Sequence, residues 1–246
     1  MAFPQQSPIN IRRPIPVVLG ARGLDVRYAG ASTGVVVKET LGAKVQFARD
    51  YSQQIVVDLA TYGLDAFHFH RPSEHAIEGK FADIELHLVH SHVDDGIRYA
   101  VIAVLIRFDD RAAEPAEELK AFFHRLAAIL AATEDPGALD VADREVTLEP
   151  AILLPPGRPE AQAYYRYEGS LTTPDHDESV SWVVLPPVAM KRAFFEDLHL
   201  LEHMEKPARA PQPLGRRFVL VNLAGRPTGA AKAVGDVAAK KGRAKR

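Results

Sequence analysis

The chain has 246 residues, of which 47% are hydrophobic and 25% charged, and its formal net charge is −2. This apolar content excludes global disorder, and the length fits one large domain or two small ones. The sequence contains no cysteine, which excludes disulfides, cysteine zinc sites and a thiol nucleophile.

Short segments rich in β-branched and aromatic residues, separated by turn formers, predict strands through most of the chain. In chain order they are Val35–Val37, Val45–Phe47, Gln54–Leu59, Ala66–His70, Glu85–His90, Tyr99–Phe108, Ala163–Tyr167, Val180–Leu185 and Phe218–Asn222. Two helices are predicted after prolines, at Ala116–Ala132 and Ala189–Phe195. The pattern predicts a mainly β (α+β) fold, with a single domain around a large, mostly antiparallel, twisted sheet and a few surface helices.

Residues 226–246 differ in composition from the rest of the chain. They are rich in Ala, Gly and Lys, lack aromatic residues and carry a net charge of +6, which leaves −8 on residues 1–225. A segment that buries so little apolar surface cannot offset its ordering entropy, so we expect a disordered basic tail after a folded domain at 1–225. We do not expect this tail to bind nucleic acid, and the sequence leaves the oligomeric state open.

The longest apolar run, Tyr99–Ile106, is too short to cross a bilayer. Near the amino terminus, prolines interrupt the apolar residues that would have to form the core of a signal peptide. We therefore expect no membrane span and a cytoplasmic protein.

The histidines are concentrated in one part of the sequence, with six of the ten between His68 and His92. Side chains alternate along a strand, so His68 and His70 share one face, with Phe67 and Phe69 on the other. The same period puts Glu85, His87 and Val89 on one face of the next segment and Leu86, Leu88 and His90 on the other. If these segments are antiparallel neighbours, the imidazoles of His68, His70 and His87 converge.

Three neutral imidazoles with an open fourth position form a catalytic type of zinc site. The metal lowers the pKa of its bound water from 15.7 to about 7, so hydroxide is available at neutral pH. Glu85 precedes His87 on the same face and is the candidate acceptor for its second ring nitrogen. Two alternating histidines are also found as ordinary polar residues of a strand, and that alternative stays open here. We interpret His75, His90 and His92 as structural, because they face the other way or lie in turns.

Several further motifs carry a resemblance to a known family. They are Gln6-Ser7-Pro8-Ile9-Asn10-Ile11, Phe67–His70, Pro72-Ser73-Glu74-His75 with Gly79-Lys80, Glu85–His90, Gly169–Pro174, Trp182–Leu185 and Gln212–Leu214. In this order and over this range, the sequence resembles the α-class carbonic anhydrases, in particular their bacterial branch. The resemblance extends from Gln6 to about Asn222.

The resemblance implies reversible hydration of carbon dioxide to bicarbonate and a proton by a zinc-bound hydroxide, which is a lyase reaction. It implies Zn²⁺ as the cofactor, with His68, His70 and His87 as ligands. It also implies that the Thr172 hydroxyl accepts a hydrogen bond from the hydroxide and donates one to Glu74. The implied substrate-binding residues are an apolar wall and a polar threonine, namely Val89, Val101, Leu171, Trp182 and Thr173.

The sequence departs from the family's pattern at two positions near the implied site. Leu41 stands where the family places a proton-shuttling histidine, and Ala66 stands where a glutamine supports the first ligand. We therefore expect slow turnover, limited by proton export and improved by imidazole buffers, with His176 as a candidate replacement shuttle. The second hypothesis is a catalytically idle, carbonic-anhydrase-like zinc-binding or structural protein. Ester hydrolysis would be a side activity of the same metal.

Overall fold

The computed structural model describes residues 4–19, 23–39, 42–48, 51–132, 139–157, 162–204 and 208–223. Leu41 and the basic segment 226–246 lie outside the described residues. The predicted boundary between a folded domain and a tail therefore stays a prediction.

Short strands are the main secondary structure of the described chain, and three α-helices are found in the same residues. The strands are Asn10–Ile11 (β1), Ile15–Val17 (β2), Asp25–Tyr28 (β3), Ser32–Glu39 (β4), Gly42–Phe47 (β5), Gln53–Val57 (β6), Ala60–His70 (β7), Ala76–Ile77 (β8), Lys80–Phe81 (β9), Ile84–His92 (β10), Tyr99–Phe108 (β11), Glu145–Leu148 (β12), Tyr165–Gly169 (β13), Val180–Met190 (β14) and Leu220–Asn222 (β15). The helices are Glu117–Ala132 (α1), Arg192–Glu196 (α2) and Leu200–His203 (α3). Two 3-10 turns lie at Val141–Arg144 and Pro150–Leu153.

Twelve of these strands form one large twisted sheet. Its main path runs in the order β12-β4-β5-β7-β10-β11-β14-β13-β15-β2, and β6 joins β3 to β7. Neighbours are antiparallel except at the pairs β11–β14 and β15–β2, which are parallel. A separate small sheet contains β1, β8 and β9. The predicted mainly β fold around a large, mostly antiparallel sheet is confirmed.

The two faces of this sheet carry different clusters of buried side chains. On the rear face, Phe67, Phe69 and Leu86 belong to a large apolar cluster that also contains Phe122 and Phe123 of α1. The opposite, front face carries a smaller cluster, whose members include Val101, Ala103, Leu105, Trp182 and Val184. The alternation of strand residues thus separates a helix-covered core from the face on which the histidines lie.

The predicted helix at Ala189–Phe195 is wrong at its start. Strand β14 continues through Pro186 and Pro187 to Met190, and the helix begins only at Arg192. The register of the β11–β14 pair shifts between Val104 and Ile106, whose partners are Leu185 and Val188. The two prolines, which have no N–H to donate, lie at this irregularity, and the ladder resumes after them. The pairing of β14 with β11 therefore outweighs the two prolines, which taken by themselves indicate the start of a helix.

None of the described helices is long and apolar enough to cross a membrane. The cytoplasmic location stays a prediction.

Candidate metal centre

Strands β7 and β10 are antiparallel neighbours, and their register brings the histidines together. His87 lies directly opposite His68, and Glu85 lies opposite His70. Ring nitrogens of His68, His70 and His87 all lie within 4.8 Å of one another. The ring centroids are 4.9 Å apart for His68 and His70, 5.2 Å for His68 and His87, and 4.6 Å for His70 and His87. The three imidazoles therefore face a common point on the front face.

An apolar row lies beside these imidazoles. Val89 pairs with Ala66 on one side and with Val101 on the other, and Val101 pairs with Trp182. Residues directly opposite each other on neighbouring strands point to the same face, so these side chains form one row, two positions along from His68 and His87. The Trp182 ring lies 5.0 Å from the His87 ring, centroid to centroid. Leu171 packs against the same cluster. The structure thus places the predicted apolar wall next to the imidazoles.

Glu85 is completely buried and accepts four hydrogen bonds. Its Oε1 lies 2.6 Å from both Nδ1 of His75 and Nε2 of His87. Its Oε2 accepts the backbone N–H groups of Glu74 and His75, each at 2.8 Å. Burial alone would raise the pKa of Glu85, but the facing imidazoles of His75 and His87 lower it well below its usual value.

An ionised Glu85 determines which nitrogen of His87 is available to a metal. A carboxylate only accepts hydrogen bonds, so Nε2 of His87 must carry the proton that it donates. The lone pair of the neutral ring is then on Nδ1. The predicted role of Glu85, to hold the second nitrogen of His87, matches this contact.

His75 extends this network across the front face and was not recognised from the sequence. It is fully buried, and its Nε2 lies 2.6 Å from the Tyr167 hydroxyl. The Tyr167 hydroxyl in turn donates to Oγ of Ser7 at 3.0 Å. Ser7 exchanges hydrogen bonds with Ser170, whose carbonyl accepts the indole N–H of Trp182. Glu85 is thus connected to the amino-terminal segment and to Trp182 of the apolar row.

His90 and His92 lie apart from the imidazole cluster. His90 stacks on Tyr28, its Nδ1 donates to the carbonyl of Ala100 at 3.2 Å, and its Nε2 lies 2.7 Å from the Tyr28 hydroxyl. Burial lowers the pKa of His90 to about 3. His92 contacts Tyr62 and Arg98. Their interpretation as structural residues is consistent with these contacts.

Glu74 lies beside His70. Its Oε1 accepts the backbone N–H of Arg209 at 2.9 Å, and its Oε2 lies 3.5 Å from Nε2 of His70. This Oε2 is buried and has no hydrogen-bond partner within the described part of the chain. Between the described residues there is no hydrogen bond from Thr172 to Glu74, so the predicted link between them stays a prediction.

Backbone hydrogen bonds close the loop that carries Thr172 and Thr173. The N–H of Leu171 donates to the carbonyl of Asp177 at 2.9 Å, and the N–H of His176 donates to the carbonyl of Thr173 at 3.0 Å. His176 has a φ of 48°, in the left-handed region. Its Nδ1 is buried and has no hydrogen-bond partner among residues 4–223 as far as they are described. The predicted shuttle role of His176 stays a prediction.

The donor set of this cluster suits zinc. Three imidazoles with buried or half-buried rings, no thiolate among them, and an ionised carboxylate behind one ring match the three-ligand arrangement of catalytic zinc sites. A second group of donors, His75, Glu85 and His87, also lies within 4.8 Å. In this second group both oxygens of Glu85 already accept two hydrogen bonds each, so they have no lone pair left for a metal. We therefore interpret His75 and Glu85 as residues that hold the His87 ring in place.

Comparisons with known proteins agree with this geometry. The family model for eukaryotic-type carbonic anhydrase matches residues 2–223. A carbonic anhydrase of Pectobacterium carotovorum is 30% identical over 218 residues, which cover 87% of this chain and 79% of the relative. The solved α-carbonic anhydrase of Photobacterium profundum is 32% identical, with a TM-score of 0.64 and coverage of 88% of both chains. That of Thermovibrio ammonificans, solved with the inhibitor sulfanilamide, is 31% identical, with a TM-score of 0.68 and coverage of 88% of this chain and 86% of that one.

Proposed function

Because the chain belongs to the eukaryotic-type carbonic anhydrase family, we propose that it catalyses reversible hydration of carbon dioxide at a zinc ion held by His68, His70 and His87. The observation that carries the proposal is the convergence of these three imidazoles on the front face of the sheet. Zinc bound there would lower the pKa of a coordinated water to about 7.

Glu85 and its partners prepare the ligand set for this role. Glu85 fixes the tautomer of His87 so that Nδ1 is free to coordinate, and its two backbone hydrogen bonds keep the carboxylate from turning away. Because the network is buried and extends to Tyr167 and Ser7, the orientation of the His87 ring is set by the fold itself. We propose Glu85 as a positioning residue.

Carbon dioxide has no net charge and no dipole, so an apolar surface beside the metal is the appropriate place for it. The row formed by Val89, Val101 and Trp182 supplies that surface, and it lies next to the ligands because the strands are paired in this register. We propose Leu171 as a further part of this wall and Thr173 as its polar boundary, where a backbone N–H can hold bicarbonate.

Thr172 and Glu74 are proposed to orient the attacking hydroxyl. A threonine hydroxyl that donates to a carboxylate must accept from its other neighbour, which directs a lone pair of that neighbour toward the substrate. The Glu74 carboxylate supports this role. Its Oε1 is fixed by the backbone N–H of Arg209, and its Oε2 is buried without a hydrogen-bond partner among the described residues. The carboxylate is thereby held in place with one oxygen facing His70.

Proton export is proposed to limit the rate. The family's shuttle position holds Leu41, which cannot carry a proton, so small imidazole buffers should accelerate turnover. His176 is the proposed substitute within the chain, because it follows the threonine loop and its Nδ1 has no hydrogen-bond partner among the described residues.

The test combines zinc analysis with stopped-flow hydration of carbon dioxide, first in a weak buffer and then with added imidazole. We expect one zinc per chain, slow hydration that imidazole accelerates, and inhibition by sulfanilamide. In His87→Asn, zinc binding and hydration should both be lost. The exposed His124 of α1 provides the matched control, since His124→Asn removes an imidazole on the rear side.

The outcomes separate the proposed enzyme from the alternative. Stoichiometric zinc without hydration under either condition would favour a catalytically idle zinc-binding protein. Absence of zinc, or equal effects of the His87 and His124 substitutions, would overturn the proposed site.

A further inference from the structure

Lys44 lies in the same cross-strand row as two of the metal ligands. In the β5–β7 pair Lys44 is directly opposite His68, and in the β7–β10 pair His68 is directly opposite His87. Directly opposed residues of antiparallel strands project to the same face. The row therefore runs Lys44, His68, His87 across three adjacent strands.

The burial pattern of β5 supports this assignment of faces. Val45 pairs with Phe67, and both belong to the rear cluster together with Phe47. Lys44 precedes Val45 by one residue, so its side chain starts from the front face, where the imidazoles are. Lys44 is half-buried, as is common for a lysine whose stem packs on the protein surface while its ammonium stays near water.

A lysine at this register position has a side chain long enough to bring a positive charge toward the proposed metal site. Neighbouring strands are about 4.8 Å apart, so a flexible four-carbon stem can bring the ammonium to about 7 Å from an anion bound near His68. Carbon dioxide is uncharged and does not respond to this charge, whereas bicarbonate and other monovalent anions do. The charge thus distinguishes the product of hydration from its substrate.

We propose that Lys44 is a specificity-determining residue that strengthens the binding of bicarbonate and of small monovalent anions at the metal site. This inference rests on the proposed function, because it needs a metal held by His68, His70 and His87. Lys44 acts through its charge on the bound anion, and the affinity for carbon dioxide is independent of it.

The expected size of the effect follows from Coulomb's law. A unit charge about 7 Å from an anion changes its affinity by about threefold at the dielectric constant of water and by about fiftyfold at an effective value of 20. Lys44→Met should therefore weaken anion binding by a factor within this range. Lys44→Arg keeps the charge and should stay close to the parent chain. The difference should shrink at high ionic strength.

The test is isothermal titration of sodium thiocyanate into the zinc-loaded chain and its variants, with zinc content measured for each sample. Lys120→Met is the matched control, because it removes one positive charge from α1 on the rear face. We expect weaker thiocyanate binding in Lys44→Met alone. The steady-state KM should rise for bicarbonate in Lys44→Met and stay unchanged for carbon dioxide.

Each result decides one question. If the parent chain takes up no zinc, the proposed function and this inference both fail. If zinc is bound and Lys44→Met binds thiocyanate as tightly as Lys120→Met, only this inference fails. Equal weakening in Lys44→Arg and Lys44→Met would also overturn it, since the charge would then not be the cause.

Discussion

Replacing Glu85 by glutamine should weaken zinc binding and destabilise the fold through the same four hydrogen bonds. Each carboxylate oxygen accepts two donors, one oxygen from His75 and His87 and the other from two backbone N–H groups. A glutamine has one oxygen and one NH₂, so its NH₂ must face either the two backbone N–H groups, which cannot accept, or the two imidazoles, which accept only after their ring protons move to the other nitrogen. Hydrogen bonds to a charged group are worth about 1.5–3 kcal/mol and neutral ones about 0.5–1.5 kcal/mol, so over the four bonds the metal-free chain should lose about 4 kcal/mol of unfolding free energy.

The effect on zinc follows from the tautomer of His87. An amide NH₂ facing Nε2 of His87 makes that nitrogen an acceptor and moves the ring proton to Nδ1, which then cannot coordinate. Loss of such a supporting partner typically costs about 10–100-fold in metal affinity. Competition with a chromophoric chelator measures the affinity, and urea unfolding of the metal-free chain measures the stability. Glu78→Gln is the control, because that exposed carboxylate accepts only the N–H of Arg13 among the hydrogen bonds described. Equal zinc affinity in the two variants would refute the reasoning.

Three further predictions test other parts of the molecule. Val101→Phe fills the apolar row between Val89 and Trp182, so kcat/KM for carbon dioxide should fall at least about tenfold while zinc affinity is kept; an unchanged kcat/KM would place the substrate elsewhere. Burial lowers the pKa of His90 from 6.5 to about 3, so below pH 6.5 the unfolded chain binds a proton that the folded chain does not, and unfolding free energy should fall by up to about 1.4 kcal/mol per pH unit. The unfolding free energy of His90→Gln, measured by urea unfolding, should depend less steeply on pH between 4.5 and 7 than that of His124→Asn. An identical pH dependence in the two variants would contradict this account. In a weak buffer, Leu41→His should raise turnover and reduce stimulation by imidazole in stopped-flow assays; an unaltered rate would show that protons leave by another route.

The three histidines of the proposed metal site could be identified as candidates from the sequence because their pattern is local. Alternation along one strand relates His68 to His70, and the same alternation relates Glu85 to His87, whatever the rest of the fold does. The pairing of the two strands is a long-range property, and it entered the sequence analysis only as a condition that the β7–β10 register now satisfies. The position of Lys44 opposite His68 depends on the same kind of pairing, so it became visible only with the structure.

The supporting contacts of His75 and Ser7 were not predicted from the sequence, for a different reason. His75 is ten residues from Glu85, and Ser7 is 160 residues from Tyr167. Contacts at such separations leave no period in the sequence, and a buried histidine outside a strand looks like any polar turn residue. Strands of two or three residues, such as β1 and β8, are too short to show alternation. The helix predicted at Ala189 failed because two prolines were interpreted locally although they lie within a paired strand.

The hydrogen bond between Glu74 and the backbone of Arg209 has a consequence for how the protein is made. Translation proceeds at about 5–20 residues per second, so strands β7 and β10 leave the ribosome several seconds before Arg209 does. During most of that interval the nascent chain has the three imidazoles but not Trp182, and throughout it lacks the partner that fixes Glu74. A metal ion bound at the proposed site before synthesis ends would therefore be enclosed only after the segment containing Arg209 has folded onto Glu74.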